Sequence, residues 1–74
     1  MSCRTVLYNC DCHTFDDVER ELLKVTGCSL GRARELSWEI HSNGSGVVYE
    51  GTVENCRLVA AALDDAGLVA KVSQ

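Results

Sequence analysis

Along this 74-residue chain the apolar positions switch between two spacings, and each switch marks an element boundary. Over residues 4–8, Thr5 and Leu7 alternate with Val6 and Tyr8, the two-residue period of a strand. Phe15, Val18, Leu22 and Val25 then recur at spacings of three, four and three, which places them on one face of a helix. Thr14 stands where an N-cap belongs, with Asp17 three residues on to reach back, and Gly27 closes the helix. Ser29 opens a second helix with an inward stripe of Leu30, Ala33, Leu36, Ser37 and Ile40. Trp38 falls off that stripe, and His41 falls on the last turn before Asn43-Gly44. The run "GVVYE" at 46–50 is a second strand. Thr52 caps a third helix with Val53, Cys56, Val59, Ala60 and Leu63 inward and Gly67 at its end, and 68–72 form a last strand.

This order, β-α-α-β-α-β, predicts an α+β fold of the split β-α-β kind. Three helices would pack on a small three-stranded antiparallel sheet. The chain reads as one domain over 1–74, without linker, repeat or low-complexity segment, and it contains no proline. A core of this size leaves only a few kcal/mol of net stability and little volume for a deep enzymatic cleft. The net charge of -4, from seven basic against eleven acidic residues, lacks the basic stripe that nucleic-acid binding requires, so no nucleic-acid partner is expected. No run of apolar residues reaches membrane-spanning length and none resembles a signal peptide, so the expectation is a cytoplasmic protein without a membrane partner. Five cysteines, an odd number, are then free thiols, with Cys28 and Cys56 acting as small hydrophobes.

The densest chemistry lies in "YNCDCHT", residues 8–14, which holds two thiols, an acid, an amide and an imidazole. Cys10, Cys12 and His13, with Cys3 or His41, would make four metal donors. A Cys-x-Cys pair, however, departs from the Cys-x2-4-Cys spacing of structural zinc sites. Cys10 beside His41 would make a thiol nucleophile and base, but no third group orients the pair. A third reading is a loop that holds a ligand by hydrogen bonds, in which no catalytic residue, metal or cofactor is expected. Plainer roles exist for each residue. His41 can complement a helix C-terminus, Asn9 can bond a turn backbone, and Phe15 and Val18 already belong to a packing stripe.

Taken together, these landmarks resemble the ClpS family. Asn9-Cys10-Asp11 follows the strand "TVLY", Phe15 and Val18 start the first helix, "IHSNGSGVV" spans 40–48, and "TVEN" opens the third helix. A related fold occurs in the C-terminal domain of the ribosomal stalk protein. The resemblance implies an adaptor that binds the free N-terminus of peptides or proteins with a bulky hydrophobic first residue and presents them to a Clp-type AAA+ unfoldase. It implies no enzymatic activity. It assigns Asn9, Asp11 and His41 to the ligand's α-amino group, with Cys10 where the family carries an acid. It assigns Phe15, Val18, Ser37 and Leu68 (or Val69) to the side-chain pocket. Ser37 replaces a methionine, which predicts a wider or less selective pocket. Glu54 is retained on the partner-docking helix, Val59 stands where a lysine is expected, and little chain precedes the first strand for use in delivery. The alternative is a divergent docking module without amine capture.

Overall fold

The computed structural model describes residues 2–9 and 14–74. Its elements are β1 (Cys3–Tyr8), α1 (Phe15–Thr26), α2 (Leu30–Asn43), β2 (Ser45–Gly51), α3 (Val53–Asp65) and β3 (Val69–Ser73). Both neighbours of β1 run antiparallel to it, so the first strand is the central one and the order is β2-β1-β3. Tyr8 faces Ser45 on one side and Val69 on the other. An irregularity between Thr5 and Val6 shifts the β1–β2 register.

The period of two decides which side of β1 is covered. Cys3, Thr5 and Leu7 are buried, whereas Arg4 and Tyr8 are exposed. Thr5 is a polar residue with 0% exposure, and its hydroxyl donates to the Cys56 carbonyl at 2.9 Å, which ties the central strand to α3. Leu7, Leu22, Leu36, Ile40, Leu63 and Leu68 supply the larger members of one core between sheet and helices.

The helix boundaries follow the caps. Thr14 and Asp17 form a reciprocal capping box, each backbone N–H bonding the other's side chain at 3.2 Å. Ser29 and Thr52 cap α2 and α3 in the same way from one side. Gly27 (φ 68°) and Gly44 (φ 90°) end α1 and α2 in the left-handed region that glycine enters without a Cβ penalty.

One expectation on packing needs correction. Leu30 was expected on the inward stripe of α2 but is 47% exposed, because it is the first helical residue after the Ser29 cap and lies beyond the covered part of the helix. Val59, expected inward on α3, is buried at 9% exposure within the core cluster.

Candidate functional site

One backbone hydrogen bond brings the two ends of the predicted site together. The Asn9 N–H, just past β1, donates to the Gly44 carbonyl at 2.8 Å, while the Gly44 N–H closes α2 onto Ile40 at 2.8 Å. The left-handed turn at Gly44 thus fixes the last turn of α2, which carries His41, against the exit of β1, which carries Asn9. The entry to α1 passes alongside. Together Asn9, Thr14, Phe15, Val18, Ser37, Ile40 and His41 line a hollow of about 40 Å³.

The lining divides by polarity. Asn9, Thr14 and His41 are exposed around the rim, Phe15 and Val18 are half-buried, and Ser37 and Ile40 are buried beneath. Neither the Asn9 amide nor the His41 ring makes a hydrogen bond to another described side chain, so both leave acceptor positions open to a ligand. Ser37 contributes shape rather than hydrogen bonding. Its hydroxyl donates to the Ala33 carbonyl of its own helix at 2.8 Å and the residue is 2% exposed.

Five of the residues assigned from sequence are therefore in one place: Asn9, Phe15, Val18, Ser37 and His41. Cys10 and Asp11, with Cys12 and His13, lie outside the described residues. Leu68 is not brought to the hollow. Its N–H bonds the Leu63 carbonyl at 3.0 Å, closing the end of α3, and its side chain is 4% exposed within the core. Glu54 stands exposed in the first turn of α3 and does not line the hollow. The Phe15 ring forms one wall of the hollow.

Sequence reasoning missed Thr14, Ile40 and Trp38. Thr14 was read only as a cap and Ile40 only as core, although each adjoins an assigned residue. Trp38 packs its ring edge-to-face on Phe15, with centroids 5.3 Å apart at 64°, and reaches to 6.4 Å from the His41 ring. Its position off the core stripe was the available signal.

Of the metal donors read from the sequence, Cys10, Cys12 and His13 lie outside the described residues, and Cys3 stands away from the hollow. Cys3 and Tyr8 are opposite ends of a six-residue strand, about 17 Å apart at the usual rise, and Cys3 is buried toward the helices. Among the described residues, no three His, Cys, Asp or Glu side chains cluster as metal ligands.

A hollow between the exit of β1, the start of α1 and the end of α2 can be compared with known proteins. The model of the family "ATP-dependent Clp protease adaptor protein ClpS" matches residues 1–71. The chain belongs to the ClpS family. ClpS proteins are an adaptor family, generally non-catalytic, that serves recognition of N-terminal degradation signals. Agrobacterium tumefaciens ClpS2, solved bound to L-phenylalaninamide, superposes with a TM-score of 0.88 over 97% of this chain and 94% of that one, at 24% identity. That likeness establishes the ClpS fold. A segment of the Drosophila melanogaster E3 ubiquitin-protein ligase UBR1 is 36% identical over 61 residues, covering 82% of this chain. The chain spans only about 3% of that ligase's length. No helix among the described residues is long and apolar enough to cross a membrane.

Proposed function

We propose that this ClpS-family domain captures the free N-terminus of a peptide or protein whose first residue is bulky and hydrophobic. The observation that carries the reading is the division of one hollow into an open polar rim, Asn9 and His41, and an apolar floor built from Phe15, Val18 and Ile40. An ammonium group has donors and no acceptor capacity, so it needs acceptors around it. The Asn9 amide oxygen is one and an unprotonated His41 nitrogen is another. Asp11 is assigned the negative charge and Cys10 the place of the missing acid. The L-phenylalaninamide bound by ClpS2 has the matching chemistry, a free amine beside a benzyl group.

Each charge-assisted hydrogen bond contributes about 1.5–3 kcal/mol, and burial of a Leu or Phe side chain a similar amount. Set against an association cost of at least ~4 kcal/mol, three such bonds and one side chain allow affinity up to about micromolar. Because the hollow is small, a ring enters only as the Phe15 side chain turns outward.

Titration with labelled peptides beginning Phe, Leu, Trp, Tyr, Arg or Ala, each beside its N-acetylated twin, tests the reading. Free hydrophobic N-termini bind, acetylation abolishes binding, and His41→Ala weakens it at least tenfold. Equal binding of free and acetylated peptides leaves a docking module without amine capture.

In the family's manner, the captured chain is presented to a Clp-type AAA+ unfoldase, with Glu54 on the docking helix. The match to a segment of UBR1 favours a second destination, in which the same capture serves a ubiquitin ligase. Degradation of a Phe-initiated substrate by a Clp protease, with and without the domain, separates the two. Peptide binding without any stimulation points to the ligase setting.

A further inference from the structure

Two buried thiols stand outside the hollow and serve no part of its chemistry. Cys3 opens the central strand and is 1% exposed, and Cys56 lies near the start of α3 and is 0% exposed. Three contacts bring them to one place. Thr5, two residues along the same buried face of β1, donates its hydroxyl to the Cys56 carbonyl at 2.9 Å. The Cys56 Sγ leans back toward the start of its helix, as helical side chains do, and meets the Gly51 carbonyl at 3.9 Å. Gly51 is in turn the partner of Cys3 in the β1–β2 ladder. Partners in an antiparallel ladder have Cα atoms about 4.5–5.5 Å apart, so a sulfur held at the Gly51 carbonyl is within the reach of Cys3 that a disulfide requires. Cys28, between α1 and α2, turns its Sγ to the Leu22 carbonyl instead.

We propose that Cys3 and Cys56 are a redox pair that closes to a disulfide under oxidation and staples the central strand to α3. A small-molecule disulfide such as oxidised glutathione supplies the oxidation. One cysteine thiolate attacks a glutathione sulfur, forming a mixed disulfide and releasing one glutathione thiol. The second cysteine thiolate then attacks the protein sulfur of that mixed disulfide, forming the Cys3–Cys56 bond and releasing the second glutathione. Two protein thiols are oxidised by two electrons, and one glutathione disulfide is reduced to two thiols. Burial keeps both sulfurs out of reach while β1 is seated. Cys3 is the first residue of its strand, so fraying of that end exposes the pair without unfolding the rest. Once formed, the bond closes about 50 residues of chain into a loop and removes that freedom from the unfolded state. Oxidation thereby sets how long the domain stays folded and leaves the hollow's lining unchanged.

The test incubates the wild-type chain with oxidised glutathione, blocks remaining thiols with iodoacetamide, and digests with trypsin in the absence of reductant. Cleavage after Arg4, Arg34 and Arg57 leaves Cys3 in residues 1–4 and Cys56 in residues 35–57, each the single cysteine of its peptide. Cys10 and Cys12 fall in residues 5–20 and Cys28 in residues 25–32, so the mass of a linked pair tells which cysteines joined. Residues 1–4 joined to 35–57 form the main linked species, and dithiothreitol removes it. The oxidised protein melts at least about 10 °C above the reduced one, and Cys3→Ala or Cys56→Ala abolishes that difference. A digest in which Cys3 and Cys56 are found only blocked, or linked to other cysteines, overturns the proposal. A Cys3–Cys56 bond that leaves Tm unchanged or lowers it overturns the staple, because the bond then strains the native packing. A rise in Tm that survives Cys3→Ala places the stabilising bond elsewhere and overturns it too. The decisive digest uses the wild-type chain, so a variant that does not fold leaves the test intact.

Discussion

Replacing Gly44 with alanine tests the turn that joins the two halves of the site. Gly44 has φ 90° and ψ -14°, and a Cβ built on it meets nothing within 4 Å. The cost of Gly44→Ala is therefore conformational and not steric. A left-handed conformation costs an L-residue about 1–2 kcal/mol, partly offset by the ~0.4–1 kcal/mol that alanine contributes by restricting the unfolded chain. The net loss is about 1 kcal/mol. Gly31 provides the internal control, since it lies in the first turn of α2, also has open space around its Cβ, and has no positive φ. Gly31→Ala stabilises by about 0.5–1 kcal/mol, because glycine inside a helix wastes that much. For a domain of this size each kcal/mol moves Tm by about 4–8 °C. Thermal melts followed by circular dichroism therefore show Gly44→Ala about 4–8 °C below wild type and Gly31→Ala a few degrees above it. Gly44→Asn falls between, because asparagine tolerates the left-handed region better than alanine. Equal shifts at the two glycines, or a stabilised Gly44→Ala, would refute the claim that this turn is held left-handed to keep the Asn9–Gly44 bond.

Three further outcomes follow from contacts described above. Thr5→Val removes the 2.9 Å hydrogen bond to the Cys56 carbonyl at nearly constant volume and lowers stability by about 1 kcal/mol, measurable by urea denaturation. Ser37→Ala leaves free-peptide affinity within twofold, since that hydroxyl is already spent on Ala33. Ser37→Met overfills a site that is 2% exposed, costing about 1–3 kcal/mol and weakening the binding of large first residues in the same titration. Phe15→Ala opens the wall of the hollow, so peptides beginning with Trp gain relative to those beginning with Leu. No change in that ratio means Phe15 does not limit the size of the first side chain.

The elements were legible because their signals are local. Thr14, Ser29 and Thr52 sit at three helix starts, Gly27 and Gly44 at two helix ends, and each acts on backbone groups within a few residues. Grouping Asn9 with His41 required more than this, because 32 positions separate them and only the order of elements, matched to a known family, brought them to one rim. What escaped the sequence depends on where helices end against one another. Leu30 continues the α2 stripe in spacing, but no part of the core extends to it. Leu68 follows a strand-like pattern, but the closing turn of α3 commits it to the core. Nor does spacing show that Trp38, off the core stripe, supports the Phe15 wall of the hollow.

The placement of β1 has a consequence for how the domain comes into being. The strand that leads in sequence is the middle strand of the sheet, and its partners begin 37 positions after Tyr8 on one side and 61 on the other. No pair of strands is local, so during synthesis the first strand emerges and waits with both edges unpaired until most of the chain has followed. Such long loops are closed before any ladder forms, which slows folding and makes it all-or-none. Clipping the first eight residues removes both ladders together, since β2 and β3 never touch each other. The residue that begins the binding rim follows directly on that strand, so a partly folded chain has no site with which to capture a client.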